Sequence, residues 1–143
     1  MFNMVLESVA DTKVHRPITG LTNDSRKVEK GDLYVTLNGQ NFDGHDFLSE
    51  VKERGASAAL VNKPNQHLDL QQIKVINTIN ILKEIATVWR KNFEIPVIAI
   101  TGSNGKTSSK ELLLHILSSE LSVHATKGNF NTDLGLCFTI LEL

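Results

Sequence analysis

The sequence predicts an α/β protein in two units: a small N-terminal α/β unit over residues 1–77 and, over 78–143, the beginning of a second unit with an incomplete parallel sheet. Two observations carry this prediction. Short apolar runs of strand length alternate with segments whose apolar residues recur every three or four positions. The run Val97-Ile98-Ala99-Ile100-Thr101 then passes through a glycine-containing turn into a helical segment, which is the strand, turn, helix order of a parallel α/β unit.

The elements follow in order. Asp32-Leu33-Tyr34-Val35-Thr36-Leu37 reads as a strand ended by the turn signal Asn38-Gly39, and Asn41-Phe42-Asp43-Gly44 is a second loop. Phe47, Leu48 and Val51 lie at helical spacing between His45 and Arg54, with Gly55 as the stop. Ala58-Ala59-Leu60-Val61 and Ile73-Lys74-Val75-Ile76 are short strands separated by the polar loop around Lys63-Pro64-Asn65-Gln66, and the first unit closes near Asn77. Leu82, Ile85, Ala86, Trp89 and Phe93 mark one buried face of a helix running from Thr78 to about Asn92, which Glu94-Ile95-Pro96 breaks. Val97 to Thr101 is then predicted as a parallel strand covered on both faces, Lys106 to Leu121 as a helix, and Val123-His124-Ala125 as the next strand. Leu112, Leu113, Ile116 and Leu117 form the apolar side of that helix. The final run, Phe138 to Leu143, is apolar and helical without a capping glycine or a polar ending, so the chain reads as cut rather than finished.

Composition bounds the function. A chain of 143 residues with 41% hydrophobic content holds one or two small domains, short for a synthetase with three substrates. Fifteen basic against sixteen acidic side chains give a net charge of −1, so the sequence carries neither a nucleic-acid surface nor a polybasic membrane patch, and anion binding is local. The single cysteine, Cys137, excludes an intramolecular disulfide and a four-thiolate zinc site. Met1 to Glu7 lacks the basic segment and apolar run of a signal peptide, and no stretch reaches the roughly 18 apolar residues of a membrane span. The expectation is a soluble, cytoplasmic protein.

Gly102-Ser103-Asn104-Gly105-Lys106-Thr107 carries the chemistry. Phosphate oxygens need converging donors, which the backbone N–H groups of a glycine-containing turn and of a helix N-terminus supply. Side chains at Gly102 or Gly105 would obstruct the approach, the Lys106 ammonium reaches terminal phosphates, and the Thr107 hydroxyl is placed to coordinate Mg²⁺. The residues assigned to the phosphates of ATP are Gly102, Ser103, Asn104, Gly105, Lys106, Thr107 and Ser108, with Lys106 and Thr107 catalytic and Thr107 the metal ligand. The bland alternative is an ordinary strand-to-helix turn with an accidental Gly-Lys-Thr. The usual pattern has a glycine five residues before Gly105, where this chain has Ile100, and its first glycine comes two positions later.

Thr101 to Thr107 is similar to the shortened loop of the Mur ligases and folylpolyglutamate synthetases, where the same departure is the rule. Thr22-Asn23-Asp24-Ser25-Arg26-Lys27-Val28, then Gly31 to Gly39 and Asn41 to Phe47, resemble the N-terminal domain of the E and F types of Mur ligase. That resemblance implies a domain holding the uridine diphosphate end of the substrate, ahead of a central ATP-binding domain of the P-loop type. Ser25 can hydrogen-bond a uracil or ribose edge. Arg26 either offers charged donors to a diphosphate or makes a structural salt bridge. The backbone N–H groups of Gly44 and His45 can face a diphosphate with the imidazole as a further donor, or His45 simply opens the helix. Asp24 reads as structural, orienting the turn through its carboxylate.

Lys127-Gly128-Asn129-Phe130-Asn131-Thr132-Asp133-Leu134-Gly135-Leu136 resembles the F type, in which a Gly-Asn-x-Asn-Asn-x-Ile-Gly stretch lies beside the bound muramoyl peptide. Asn129 and Asn131 donate and accept together, which suits amide and sugar recognition, or they make turns. Thr132 stands where the family commonly has a second Asn, and Cys137 where it commonly has Pro. The resemblance implies an ATP- and Mg²⁺-dependent ligase of peptidoglycan precursor synthesis. In such a ligase ATP phosphorylates the peptide carboxylate of UDP-N-acetylmuramoyl-tripeptide, and the amine of D-alanyl-D-alanine attacks the acyl phosphate to form the amide. The family's further acidic metal ligand, its carbamylated lysine and its C-terminal domain lie beyond residue 143, so this chain alone is expected to show no ligase turnover and the full-length protein to be a monomer. An E-type ligase adding the third amino acid and a non-catalytic UDP-sugar-binding module are the alternatives.

Overall fold

The computed structural model describes residues 1–39, 42–128 and 132–143. Strands β1 (Gly20–Thr22), β2 (Asp32–Val35), β3 (Ala58–Val61) and β4 (Gln71–Lys74) make one four-stranded sheet in sequence order, parallel throughout. Leu21 pairs with Leu33, Leu33 with Ala58, and Ala58 with Gln71, so the C-terminal ends of the strands gather along one edge. A 3-10 turn, Ser25–Lys27, joins β1 to β2, and a second, Gly44–Phe47, runs into helix α2 (Leu48–Glu53) before β3.

Because successive side chains of a strand point to opposite faces, the apolar runs of β2 and β3 serve two cores. Leu33, Val35, Ala58, Leu60 and Ile73 meet Val5 and Leu6 of α1 (Phe2–Ala10), Leu82, Ile85 and Ala86 of α3 (Thr78–Arg90), and Cys137 of α5 (Asp133–Leu141). On the opposite face Tyr34, Ala59 and Val61 meet Val28, Leu48, Val51 and Ala56. The α/β class agrees with the prediction, and the parallel sheet lies over Gly20 to Lys74, within the first unit. Helix α3 starts where Asn77 accepts hydrogen bonds from the Ile79 and Asn80 N–H groups, both at 3.0 Å. It stops at Arg90, whose guanidinium donates to the Ile95 carbonyl at 2.8 Å and folds the Glu94-Ile95-Pro96 break back onto the helix end.

Several predicted elements are corrected. Residues 97–101 form no strand, and Val97 and Ile98 are 67% and 61% exposed. A β-branched run supplies propensity only; a strand also needs a neighbour for its N–H and C=O groups, and among the described residues none pairs with this segment. Val123-His124-Ala125 is likewise irregular. Helix α4 (Lys106–Leu117) ends four residues before Leu121 and buries no side chain; its apolar residues Leu112 and Ile116 face outward. The last strand of the first unit begins two residues earlier than predicted, because its register against Ala58–Val61 runs from Gln71 to Lys74 and leaves Ile76 outside. Two elements go beyond the prediction, α1 and β1. The first carries Phe2, Val5, Leu6 and Val9 at helical spacing against the core. Among the described residues no helix is long and apolar enough to cross a membrane.

Candidate substrate and phosphate sites

The C-terminal edge of a parallel sheet is where open α/β folds bind ligands, and four of the predicted site residues come together there. After β1, the Asp24 carboxylate accepts from the Arg26 N–H at 3.1 Å and so caps the turn Ser25–Lys27. The same carboxylate takes two charged hydrogen bonds, from Arg26 Nε and Nη2, each at 2.9 Å. The guanidinium holds the Asp24 carboxyl down at about 2. Of the two roles open to Arg26, the structure displays the salt bridge, with the Arg26 side chain 81% exposed and its backbone carbonyl accepting from Arg54 at 3.1 Å. Ser25, the first residue of that turn, is buried.

After β2, Asp43 repeats the device, accepting from the His45 N–H at 3.0 Å at the start of the turn Gly44–Phe47. That N–H lowers the Asp43 carboxyl first, and the imidazole second. Gly44 is required by close approach, since a Cβ there would lie 2.8 Å from the Leu37 nitrogen and 3.1 Å from the Thr36 Cα. Its carbonyl accepts from the Tyr34 hydroxyl at 3.2 Å, and burial pushes that phenol up to about 12.

His45 is committed on both ring nitrogens. Nδ1 lies 2.5 Å from the Asp43 carboxylate, and Nε2 lies 3.3 and 3.4 Å from the Asn62 and Lys63 N–H groups. The Thr36 hydroxyl, 3.3 Å from Nε2, spends its single proton on the Leu60 carbonyl at 2.9 Å. This set assigns the proton to Nδ1, which donates to Asp43, and leaves the Nε2 lone pair for the two amides. The imidazole, 11% exposed, thus ties the end of β2 to the end of β3. Nothing in the sequence marked Asn62, whose buried Oδ1 finds no hydrogen-bond partner among the described residues. Asp43 was legible only as part of a loop; its position two residues before His45, matching Asp24 before Arg26, is the signal that would have identified it as a cap.

The phosphate loop stands apart. Gly105, at φ 77°, is the N-cap of α4 and offers no side-chain oxygen to the first turn, so the N–H groups there keep their donors. A Cβ at Gly105 would meet nothing within 4 Å, so the loop is open on that side. The Lys106 ammonium donates to the Gly102 carbonyl across the loop, and the Ser109 N–H donates to the Gly105 carbonyl at 2.8 Å. Ser103, Asn104, Thr107 and Ser108 are exposed. Among the described residues no hydrogen bond joins this loop to Ser25, Arg26, Gly44 or His45, so the structure does not bring the two predicted groups together. Asn129 and Asn131, like Asn41 and Phe130, lie outside the described residues. Cys137 is a core residue whose thiol burial pushes up.

Residues 17–95 match the family described as "Mur ligase family, catalytic domain", and residues 100–143 match "Mur ligase middle domain". The chain belongs to the Mur ligase family. This Mur ligase chain is 38% identical over 140 residues to the UDP-N-acetylmuramoyl-tripeptide–D-alanyl-D-alanine ligase of Synechocystis sp., a match covering 96% of it and 31% of that relative. It superposes on MurF from Acinetobacter baumannii with a TM-score of 0.89 at 34% identity, over 99% of this chain and 32% of that one. MurF ligase from Thermotoga maritima, solved in complex with ADP, gives a TM-score of 0.76 at 35% identity, over 90% of this chain and 29% of that one. The Mur ligase chain therefore spans about a third of the length of these relatives.

Proposed function

We propose that this chain is the N-terminal part of an F-type Mur ligase, which joins D-alanyl-D-alanine to UDP-N-acetylmuramoyl-tripeptide in the cytoplasm at the expense of ATP. Residues 1–77 supply the uridine diphosphate site and residues from 78 the start of the ATP-binding unit, with α3 shared because it covers the sheet of the first. The observation that carries this proposal is a helix whose glycine N-cap leaves its first N–H groups uncapped beside Lys106, on the same chain as a parallel-sheet end that presents Arg26. The 38% identity to a tripeptide ligase over nearly the whole chain supports the F type over the E type.

The loop suits the phosphates of ATP. Its donors are uncapped, its open side admits an anion, and the Lys106 ammonium rests on the Gly102 carbonyl, from which it can turn to a phosphate oxygen. The Thr107 hydroxyl, exposed in the first turn, suits a Mg²⁺ whose other ligands are phosphate and water oxygens. Bound Mg·ATP supplies the phosphoryl group that activates the peptide carboxylate, and Lys106 stabilises the charge spread over that group during transfer. At the sheet edge Ser25 and Arg26 orient the sugar nucleotide, while the Gly44 and His45 N–H groups, expected to face the diphosphate, are spent on the Leu37 carbonyl at 2.9 Å and the Asp43 carboxylate at 3.0 Å and so shape the neighbouring turn, and the His45 imidazole ties the end of β2 to the end of β3. Asn129 and Asn131 recognise the muramoyl peptide. Calorimetric titration of the chain with Mg·ADP tests the loop: saturable binding is expected, and Lys106→Ala is expected to weaken it by about tenfold or more. A folded chain that binds no Mg·ADP, or a variant that binds equally well, contradicts the assignment.

A further inference from the structure

Lys110 stands one helical turn after Lys106, on the same side of α4. Its ammonium lies 2.6 Å from the Thr126 carbonyl, 2.9 Å from the Gly128 carbonyl and 2.9 Å from the Glu111 carboxylate. An ammonium has three N–H donors, and these contacts use all of them. The side chain is only 17% exposed, although α4 as a whole buries no residue. Gly128 takes the left-handed φ of 52° that lets the backbone curl around this charge. The curled segment is tied in turn to α5: His124 Nε2 donates to the Thr139 carbonyl at 2.8 Å, and the Lys127 ammonium meets Glu142 at 2.8 and 2.9 Å. Helix α5 is part of the main core. Since apolar burial does not fix α4, this polar strap sets where the helix sits.

We infer that Lys110 is a positioning residue, which rests on the ligase function proposed above: it holds the turn leading into Asn129 against the helix that carries the phosphate loop, and so couples nucleotide binding to recognition of the muramoyl peptide. Lys106 and Lys110 then lie on one side of α4, the first at the phosphate loop and the second, one turn further on, against Thr126 and Gly128. A shift of the α4 N-terminus when phosphates bind passes through Lys110 to Thr126 and Gly128.

The test compares the wild-type chain with Lys110→Met, which keeps the apolar stem, and Lys110→Arg, which keeps the charge. Hydrogen exchange of the ligand-free chain reads the tie directly: Lys110→Met speeds exchange of the 124–128 amides while circular dichroism shows unchanged helix content. Calorimetry reads the coupling. Saturating Mg·ADP is expected to tighten UDP-N-acetylmuramoyl-tripeptide binding about fivefold or more in the wild-type chain and by less than about twofold in Lys110→Met, with Mg·ADP affinity itself held within about twofold and partial recovery in Lys110→Arg. Unchanged exchange in Lys110→Met overturns the tie. Faster exchange with the coupling retained, or equal loss of both affinities, overturns the positioning role. A folded wild-type chain that binds neither ligand overturns the ligase function itself, and the role of Lys110 with it.

Discussion

Asp24 and Arg26 show how much a single pair shapes the sugar-nucleotide edge. The Asp24 carboxylate serves three N–H donors of Arg26, one from the backbone and two from the guanidinium, and this depresses its ionisation to about 2 from an ordinary 3.8. A depressed carboxyl favours the folded state above its unfolded range and loses that contribution as the pH falls through the folded value. The pair therefore supports the turn fully above about pH 4 and releases it toward pH 2. Arg26→Ala should return the Asp24 midpoint to the ordinary carboxylate range, which a carbon-detected NMR titration of the side chain measures. An Asp24 midpoint still near 2 in the variant would show that backbone donors alone set it. The sequence left Arg26 open between ligand contact and salt bridge, and spacing alone does not decide it, since both roles use the same guanidinium two residues after an acid. His45 was harder still. Its position before a helix is visible, and Asp43 on its Nδ1 is a sequence neighbour, but the partners of its Nε2 are Asn62 and Lys63, which only the pairing of β2 with β3 brings near.

At the scale of elements, caps and neighbours decide what propensity leaves open. Asn77 closes two N–H groups at the start of α3, the helix that covers the sheet with Leu82, Ile85 and Ala86. Asn77→Ala should therefore lower the unfolding free energy by about 1 kcal/mol, measured by urea denaturation, with the slope unchanged. A change near zero would mean that solvent or another side chain satisfies those donors equally well. Helix α3 was legible because its apolar residues recur at one spacing against one surface, and β3 because Ala58 to Val61 is buried on both faces. The failure at Val97 to Thr101 has the opposite cause. The run has the composition of a buried parallel strand, yet its N–H and C=O groups find no paired neighbour among the described residues, and composition does not encode the neighbour. The outward-facing Leu112 and Ile116 of α4 follow from the same lack of a covering surface. Helix α1 carried a readable pattern at Phe2, Val5, Leu6 and Val9, whereas the three residues of β1 are too few to show any period.

Across the whole molecule, the two halves of the proposed site differ in how they are held. The sugar-nucleotide edge is fixed by strand ends, two Asp-capped turns and an imidazole between β2 and β3, all resting on cores that cover both faces of the sheet. The phosphate loop instead leads a helix that buries nothing and is tied to the core through Lys110, the 124–128 strap and α5. The first half should thus recognise its ligand in the chain as it stands. Calorimetric titration with UDP-N-acetylmuramoyl-tripeptide, with Arg26→Ala as control, tests this most directly. Saturable binding, weakened about tenfold by the substitution, is the predicted result. A chain shown to be folded that takes up no UDP-N-acetylmuramoyl-tripeptide, or that binds it equally well without Arg26, would contradict the assignment of the sheet edge as the sugar-nucleotide site.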